Sequence, residues 1–189
     1  MIAFARRYVR IVDATNYRIG RVMMYGIFVM IGILMWSSVS KTFFNPSLWT
    51  LEIAQFAMVT YYIMGGPYAL QLGANVRMDL FYHDWSDIRK AQIDAITVFF
   101  LIFYLAVLLH GAMGSAAYSL GHYKGETYSF FAGLLTGSEE VGRLERSPTA
   151  WRPYIWPIKL VMCLGFFLML LQAISELIKD IARIRKVEL

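Results

Sequence analysis

Four stretches of the chain run without a single charge: Val22 to Ser40 is 19 residues, Ile53 to Val76 is 24, Ala95 to Tyr123 is 29 and Leu160 to Ser175 is 16. The last lengthens if Lys159 lies at the interface and carries its ammonium outward on its alkyl stem. Roughly 20 apolar residues at about 1.5 Å rise cross a hydrocarbon core about 30 Å thick. None of the stretches alternates as a strand would. A backbone in hydrocarbon must satisfy its own hydrogen bonds, so the stretches are expected to be helices. The pattern predicts an all-α integral membrane protein with four transmembrane helices near 22–42, 50–74, 92–118 and 154–178. Together they form a single four-helix membrane domain over residues 1–189, one compact bundle. A signal-peptide reading of the first stretch fails, because its basic lead-in runs to Arg21, too long for an n-region.

Lysine and arginine then orient the helices. Arg6, Arg7, Arg10, Arg18, Arg21, Arg77, Arg89, Lys90, Lys179, Arg183, Arg185 and Lys186 fall on one side, twelve in all. Only Lys41, Lys124, Arg143, Arg146 and Arg152 fall on the other. Basic residues stay cytoplasmic, which predicts both termini inside. The outer side carries Trp49, Trp151, Tyr154 and Trp156, rings suited to the headgroup belt.

The connections have patterns of their own. In the first outer loop Asn45 can cap, and Pro46 can take the first position of the second helix. The segment Asn75-Val76-Arg77-Met78-Asp79-Leu80-Phe81-Tyr82 is amphipathic and suits the cytoplasmic surface. Lys90 and Asp94 stand four apart and can pair. The second outer, periplasmic loop is long, 121–153, and suggests short interfacial helices. Thr127 to Leu135 is apolar but too short to span, and Ser138-Glu139-Glu140 resembles a helix start. The arginine-rich N-terminal segment, with Tyr8, Ile11, Val12 and Ile19 interspersed, is expected to extend the first helix into the cytoplasm. No internal repeat is visible, so an inverted-repeat transport core is unsupported.

Composition sharpens this picture. The chain is 58% apolar and 16% charged, against about 45–50% and 25% in soluble domains, with a mean hydropathy of +0.51. Its net charge of +5 gathers at helix ends, where phospholipid headgroups rather than nucleic acid would meet it. Cys163 is the single cysteine, so no internal disulfide forms.

Candidate chemistry is sparse. His110, near the middle of the third helix, is an intramembrane polar candidate, either a proton relay or a neutral imidazole bonded to a neighbouring helix. The first and fourth helices offer no carboxylate at its depth, which favours the second reading. Haem would need a second axial ligand, and His83 and His122 lie near helix ends. Neither a cofactor nor a metal is expected, and no catalytic residue stands out. Glu52 is either a buried charge partner for another subunit or a carboxylate favoured by a helix N-terminus. Gly65-Gly66-Pro67 should kink the second helix, most simply for packing. Arg77 and Asp79 either pair with a partner or remain solvated at the surface. Gln55, Gln71 and Gln172 read as interhelical hydrogen-bonding groups. Trp156-Pro157-Ile158-Lys159 reads as a belt ring, a helix-starting proline and an outward-reaching lysine, with a partner-holding role open.

Several classes drop out. Thiol oxidases need cysteine pairs, small drug antiporters need an acidic residue early in the membrane, and hydrolases need a nucleophile with a base or a metal cluster. A scaffold for a larger membrane partner remains, beside a self-contained four-helix channel or exporter and an assembly factor.

Asn45-Pro46-x-x-Trp49-x-x-Glu52 leads into the second helix. It is followed by Gly66-x-Tyr68-Ala69-Leu70-x-x-Gly73-Ala74-x-Val76-Arg77-Met78-Asp79-Leu80-Phe81-Tyr82. With Trp151-Arg152-Pro153, Trp156-Pro157-Ile158-Lys159 and Leu170-Leu171-Gln172, these residues resemble the small membrane (Q-type, DctQ-like) subunit of tripartite ATP-independent periplasmic (TRAP) transporters. The resemblance implies a multi-pass protein of the bacterial inner membrane that is not an enzyme. It implies a scaffold for a large membrane subunit, which carries the sodium and substrate sites of a symporter. A periplasmic substrate-binding protein would deliver a dicarboxylate or other organic anion. No substrate-binding residue is expected on this chain. Trp49, Glu52, Arg77, Asp79, Trp156 and Lys159 become the candidates for contact with the partner. The long loop 121–153 departs from the family's usual pattern and looks like a longer branch of it.

Overall fold

The computed structural model describes residues 2–73, 86–123 and 125–186, and every regular element among them is a helix. The order is α1 Ile2–Met23, α2 Gly26–Phe43, α3 Thr50–Gln71, α4 Asp87–Ser119, α5 Thr127–Thr136 and α6 Trp156–Ile184. Three of the described helices are long and apolar enough to cross a membrane: the nearly continuous Ile2–Phe43, then Ile88–Ser119 and Trp156–Ile184. At 22 residues α3 has the length, but Glu52, Gln55, three tyrosines and Gly65-Gly66-Pro67 make it more polar.

The long helices stand in a row. α2 packs antiparallel to α3, with Gly26 against Tyr61 at one end and Thr50 Oγ1 donating to Ser37 Oγ (3.1 Å) at the other. α3 and α6 run parallel, because Ile63 lies on Gly165 and Met169 lies on Gly66. α4 borders the other side of α6, its buried stripe of Ala91, Leu105, Ala112 and Ser119 repeating every seven or fourteen residues. That period is the seam of a left-handed coiled coil. The order across the molecule is therefore α2, α3, α6, α4, with α2 and α4 at the edges. An open row replaces the compact bundle expected from length. Helices that face lipid or another apolar chain gain little by closing a ring, since their outer faces meet no water.

Close approach needs small residues at two crossings. A Cβ on Gly165 would fall 2.1 Å from Ile63 Cγ2, and one on Gly20 would fall 2.3 Å from Tyr68 Cβ. The α2–α3 hairpin is closed by hydroxyls: Ser47 Oγ lies 3.1 Å from Ser40 Oγ and 2.9 Å from Thr50 Oγ1. Trp49 occupies the cap position of α3. Asn45 and Pro46 therefore lie in the loop and neither caps nor starts the helix. The chain needs those residues to turn, and the serines supply the polar partners instead.

Both of the last long helices run beyond the expected limits, α4 from Asp87 and α6 to Ile184, because a helix continues past the apolar boundary once its charged turns reach water. The connection between α4 and α6 contains one helix among the described residues, α5, closed by Gly137 at φ +74°. Ser138-Glu139-Glu140 is irregular and starts no second helix. Instead, the Ser138 and Glu139 amides donate back to the Gly133 carbonyl and finish α5.

Candidate functional site

α1 is an amphipathic helix that lies across the row. Its arginines at 6, 7, 10, 18 and 21 are exposed, while Val12, Asn16 and Gly20, four residues apart, are buried. Tyr8 and Asn16 stand eight positions apart, yet they meet adjacent residues of α6. The Tyr8 hydroxyl donates to the Leu171 carbonyl (3.1 Å), and Asn16 Nδ2 donates to Gln172 Oε1 (2.7 Å). α1 thus crosses α6 instead of running along it. Burial raises the Tyr8 phenol pKa, keeping it a donor.

Asp13 anchors this crossing. Its Oδ1 accepts from Gln172 Nε2 (3.0 Å) and Ser175 Oγ (3.0 Å), and its Oδ2 pairs with Lys179 Nζ at 2.8 Å. Lys179 also reaches Glu176 Oε1 (2.8 Å), and Gln71 Nε2 from α3 donates to the Asp13 carbonyl (3.2 Å). Three helices are tied at one polar node. Gln71 and Gln172 are interhelical hydrogen-bonding groups, as their position suggested, whereas Gln55 is exposed. Asp13 drew no attention in the sequence. Its signal was an acid beside Val12 and Asn16 on the one face of an arginine-rich helix that carries no arginine.

The expected partner residues do not gather in one place. Trp49 is partly exposed at the start of α3. Glu52 is 6% exposed, and its Oε2 has no hydrogen-bond partner. Arg77 and Asp79, with the amphipathic segment around them, lie outside the described residues. Trp156 packs against the buried cluster of Ala117, Leu120 and Phe130 at the junction of α4, α5 and α6. Lys159 does not reach outward. Its Nζ binds Glu145 Oε2 at 2.6 Å and the Ser115 carbonyl at 3.2 Å, beneath the Tyr118 ring. A half-buried ammonium gains more from a carboxylate and a carbonyl in reach than from extension to the headgroups.

His110 faces outward on α4, with Nδ1 2.7 Å from the Tyr128 hydroxyl of α5. The imidazole is thus bonded to a neighbouring helix, the plainer of its two readings. The Tyr128 side chain reaches it from the start of α5, where Thr127 lies beside Gly114 of α4. Above it, His122 stacks on Phe130 with ring centres 4.4 Å apart. Gly65-Gly66-Pro67 sits inside a continuous α3, and Gly66 gives Met169 room to approach.

What remains unsatisfied is apolar surface. On α4, Ile96, Phe99, Phe100, Phe103, Tyr104 and Val107 are exposed, and on α2 only Ser40 is buried. These features define a multi-helix membrane protein whose internal polar groups tie helices together while broad apolar faces stay open. Residues 30–183 match the family described as tripartite ATP-independent periplasmic transporters, DctQ component, and the chain belongs to that family. It is a small-subunit component of a TRAP transporter. No curated protein and no solved structure matched the chain.

Proposed function

We propose that this chain is a non-catalytic scaffold with four membrane spans, α2, α3, α4 and α6, and with both termini in the cytoplasm of a bacterial inner membrane. It braces the large membrane subunit, while a periplasmic binding protein delivers an organic anion, of carboxylate type, for sodium-coupled uptake. The observation that carries this reading is the open row: two edge helices with long apolar faces and no internal closure. A bilayer tolerates such faces, and a larger apolar partner fits them equally well. Eleven described basic residues, the arginines of α1 and those at the start of α4 and the end of α6, support the orientation. The pairing of His110 with Tyr128 supplies no relay partner across the membrane, which speaks against a self-contained channel or exporter.

Co-expression with the large subunit tests the proposal directly. The two should leave mild detergent as one complex, and uptake in liposomes should require both. Solute flux through this chain alone would overturn the reading. A buried carboxylate oxygen, Glu52 Oε2, without a hydrogen-bond partner among the described residues suits a cationic or hydrogen-bonding group on that subunit. Glu52→Ala is accordingly expected to lower the yield of complex while leaving substrate preference unchanged.

A further inference from the structure

The connection between α5 and α6 builds a basin that the scaffold role does not use. It has a volume of about 780 Å³, within the range of small-ligand sites, and its walls include Arg143, Arg146, Arg152, Tyr123, Tyr154 and Glu145. Three arginines thus line one concavity with one glutamate. That carboxylate is already neutralised, because Glu145 binds Lys159 at 2.6 Å. Glu126, Glu139 and Glu140, the other acids of the connection, do not line the basin. Arg143 and Arg152 make no side-chain hydrogen bond or ion pair with any described residue. The basin therefore carries an uncompensated positive charge.

The backbone beneath it is fixed. Gly142 N–H donates to the Leu120 carbonyl (3.0 Å) and Glu145 N–H to the Ser119 carbonyl (3.0 Å), which staples the segment onto the end of α4. This approach requires Gly121, at φ +91°, where a Cβ would fall 2.5 Å from the Arg143 nitrogen. Opposite, Arg146 and Tyr154 pair as an isolated bridge, flanked by Ser147 N–H to the Pro153 carbonyl (2.9 Å) and Ile155 N–H to the Glu145 carbonyl (3.3 Å). Arg146 lies over the Tyr154 ring at 4.4 Å and donates to its hydroxyl. Arg152 holds φ at +52°, a conformation that glycine adopts more cheaply, yet the position carries a guanidinium. The loop backbone thus fixes three arginine positions around a hollow, and arginine forks match carboxylate and phosphate geometry.

We propose that this basin binds a carboxylate or phosphate oxyanion, held by Arg143 and Arg152 with Arg146 as the stacked third donor. The chemistry fits a dissolved dicarboxylate, or the phosphate of an anionic lipid headgroup lying beside Trp151 and Trp156. The site rests on the topology proposed above only for the compartment it faces.

The test uses the full chain, co-purified with its large subunit where they associate, in neutral detergent at low salt. Succinate and acetate are titrated against the parent, R143Q/R152Q and R143K/R152K. Retention of phosphatidylglycerol over phosphatidylcholine is then read by native mass spectrometry. If the anion comes from solution, succinate binds the parent about tenfold or more tightly than acetate, and R143Q/R152Q loses about the same factor. If it comes from the membrane, phosphatidylglycerol stays with the parent and leaves R143Q/R152Q, and succinate does not bind. Partial binding by R143K/R152K shows that the loss follows charge and not folding. No binding of either probe, or equal binding by parent and R143Q/R152Q, overturns the site. Recovery of the complex in the same preparations reads the scaffold proposal separately.

Discussion

At the scale of single residues, the protein depends on a few contacts that have no slack. Asp13 collects two hydrogen bonds and an ion pair from α6. Its replacement by alanine leaves Gln172 and Ser175, both fully buried, short of an acceptor. Asp13→Ala should lower the free energy of unfolding by about 1–3 kcal/mol, seen as an earlier thermal melt in detergent. Gly165 illustrates the steric counterpart. Gly165→Ala presses a methyl into Ile63 and should cost about 1–3 kcal/mol. Adding Ile63→Ala removes the clashing Cγ2 and should recover part of that loss. Absence of any recovery would mean that the Ile63 backbone, 3.1 Å away at its carbonyl oxygen, sets the limit alone.

Among the elements, α1 is the one whose placement the fold decides. It carries five arginines and crosses α3 at its last turn and α6 over residues 171–179, held by Asp13, Asn16 and Tyr8. A lysine at position 13 would face Lys179 and turn attraction into repulsion. Asp13→Lys should loosen α1, so that trypsin cuts after Arg10, Arg18 and Arg21 several times faster while α4 and α6 stay intact. Unchanged cleavage would assign the hold on α1 to Gly20 and Tyr68 instead. α5 has a different anchor, since its apolar face covers Ala117 and Leu120 through Phe130. Apolar burial there, more than the exposed His110–Tyr128 contact, holds it on α4.

For the whole molecule, the row of helices has a consequence for handling. Apolar faces of this extent on α2 and α4 associate with whatever apolar surface is available. The chain alone in detergent should elute from size exclusion as a broad mixture. Co-expression with the large subunit should sharpen it to one species. A monodisperse monomer without a partner would show that detergent alone satisfies these faces.

Much of the architecture was legible because hydrocarbon imposes a simple rule: long uncharged stretches must be helices. Val22–Ser40, Ala95–Tyr123 and Leu160–Ser175 each fall within or largely within an observed helix, whereas the N-terminal segment, expected to extend the first, is a separate helix turned across the row after residues 24–25. The family motifs were legible too, because they are local strings of residues. Tertiary structure alone decided which side of each helix is inward, since a stretch apolar all round carries no amphipathic mark. The seven-residue seam of α4 shows this: Ala91, Leu105 and Ala112 line it while Ile96, Phe99 and Phe103 face away, all apolar, and only contact with α6 separates them. It also decided where Lys159 points and that Asp13 is the node. A long side chain chooses among partners by distance, and distances across the chain are not written in its order.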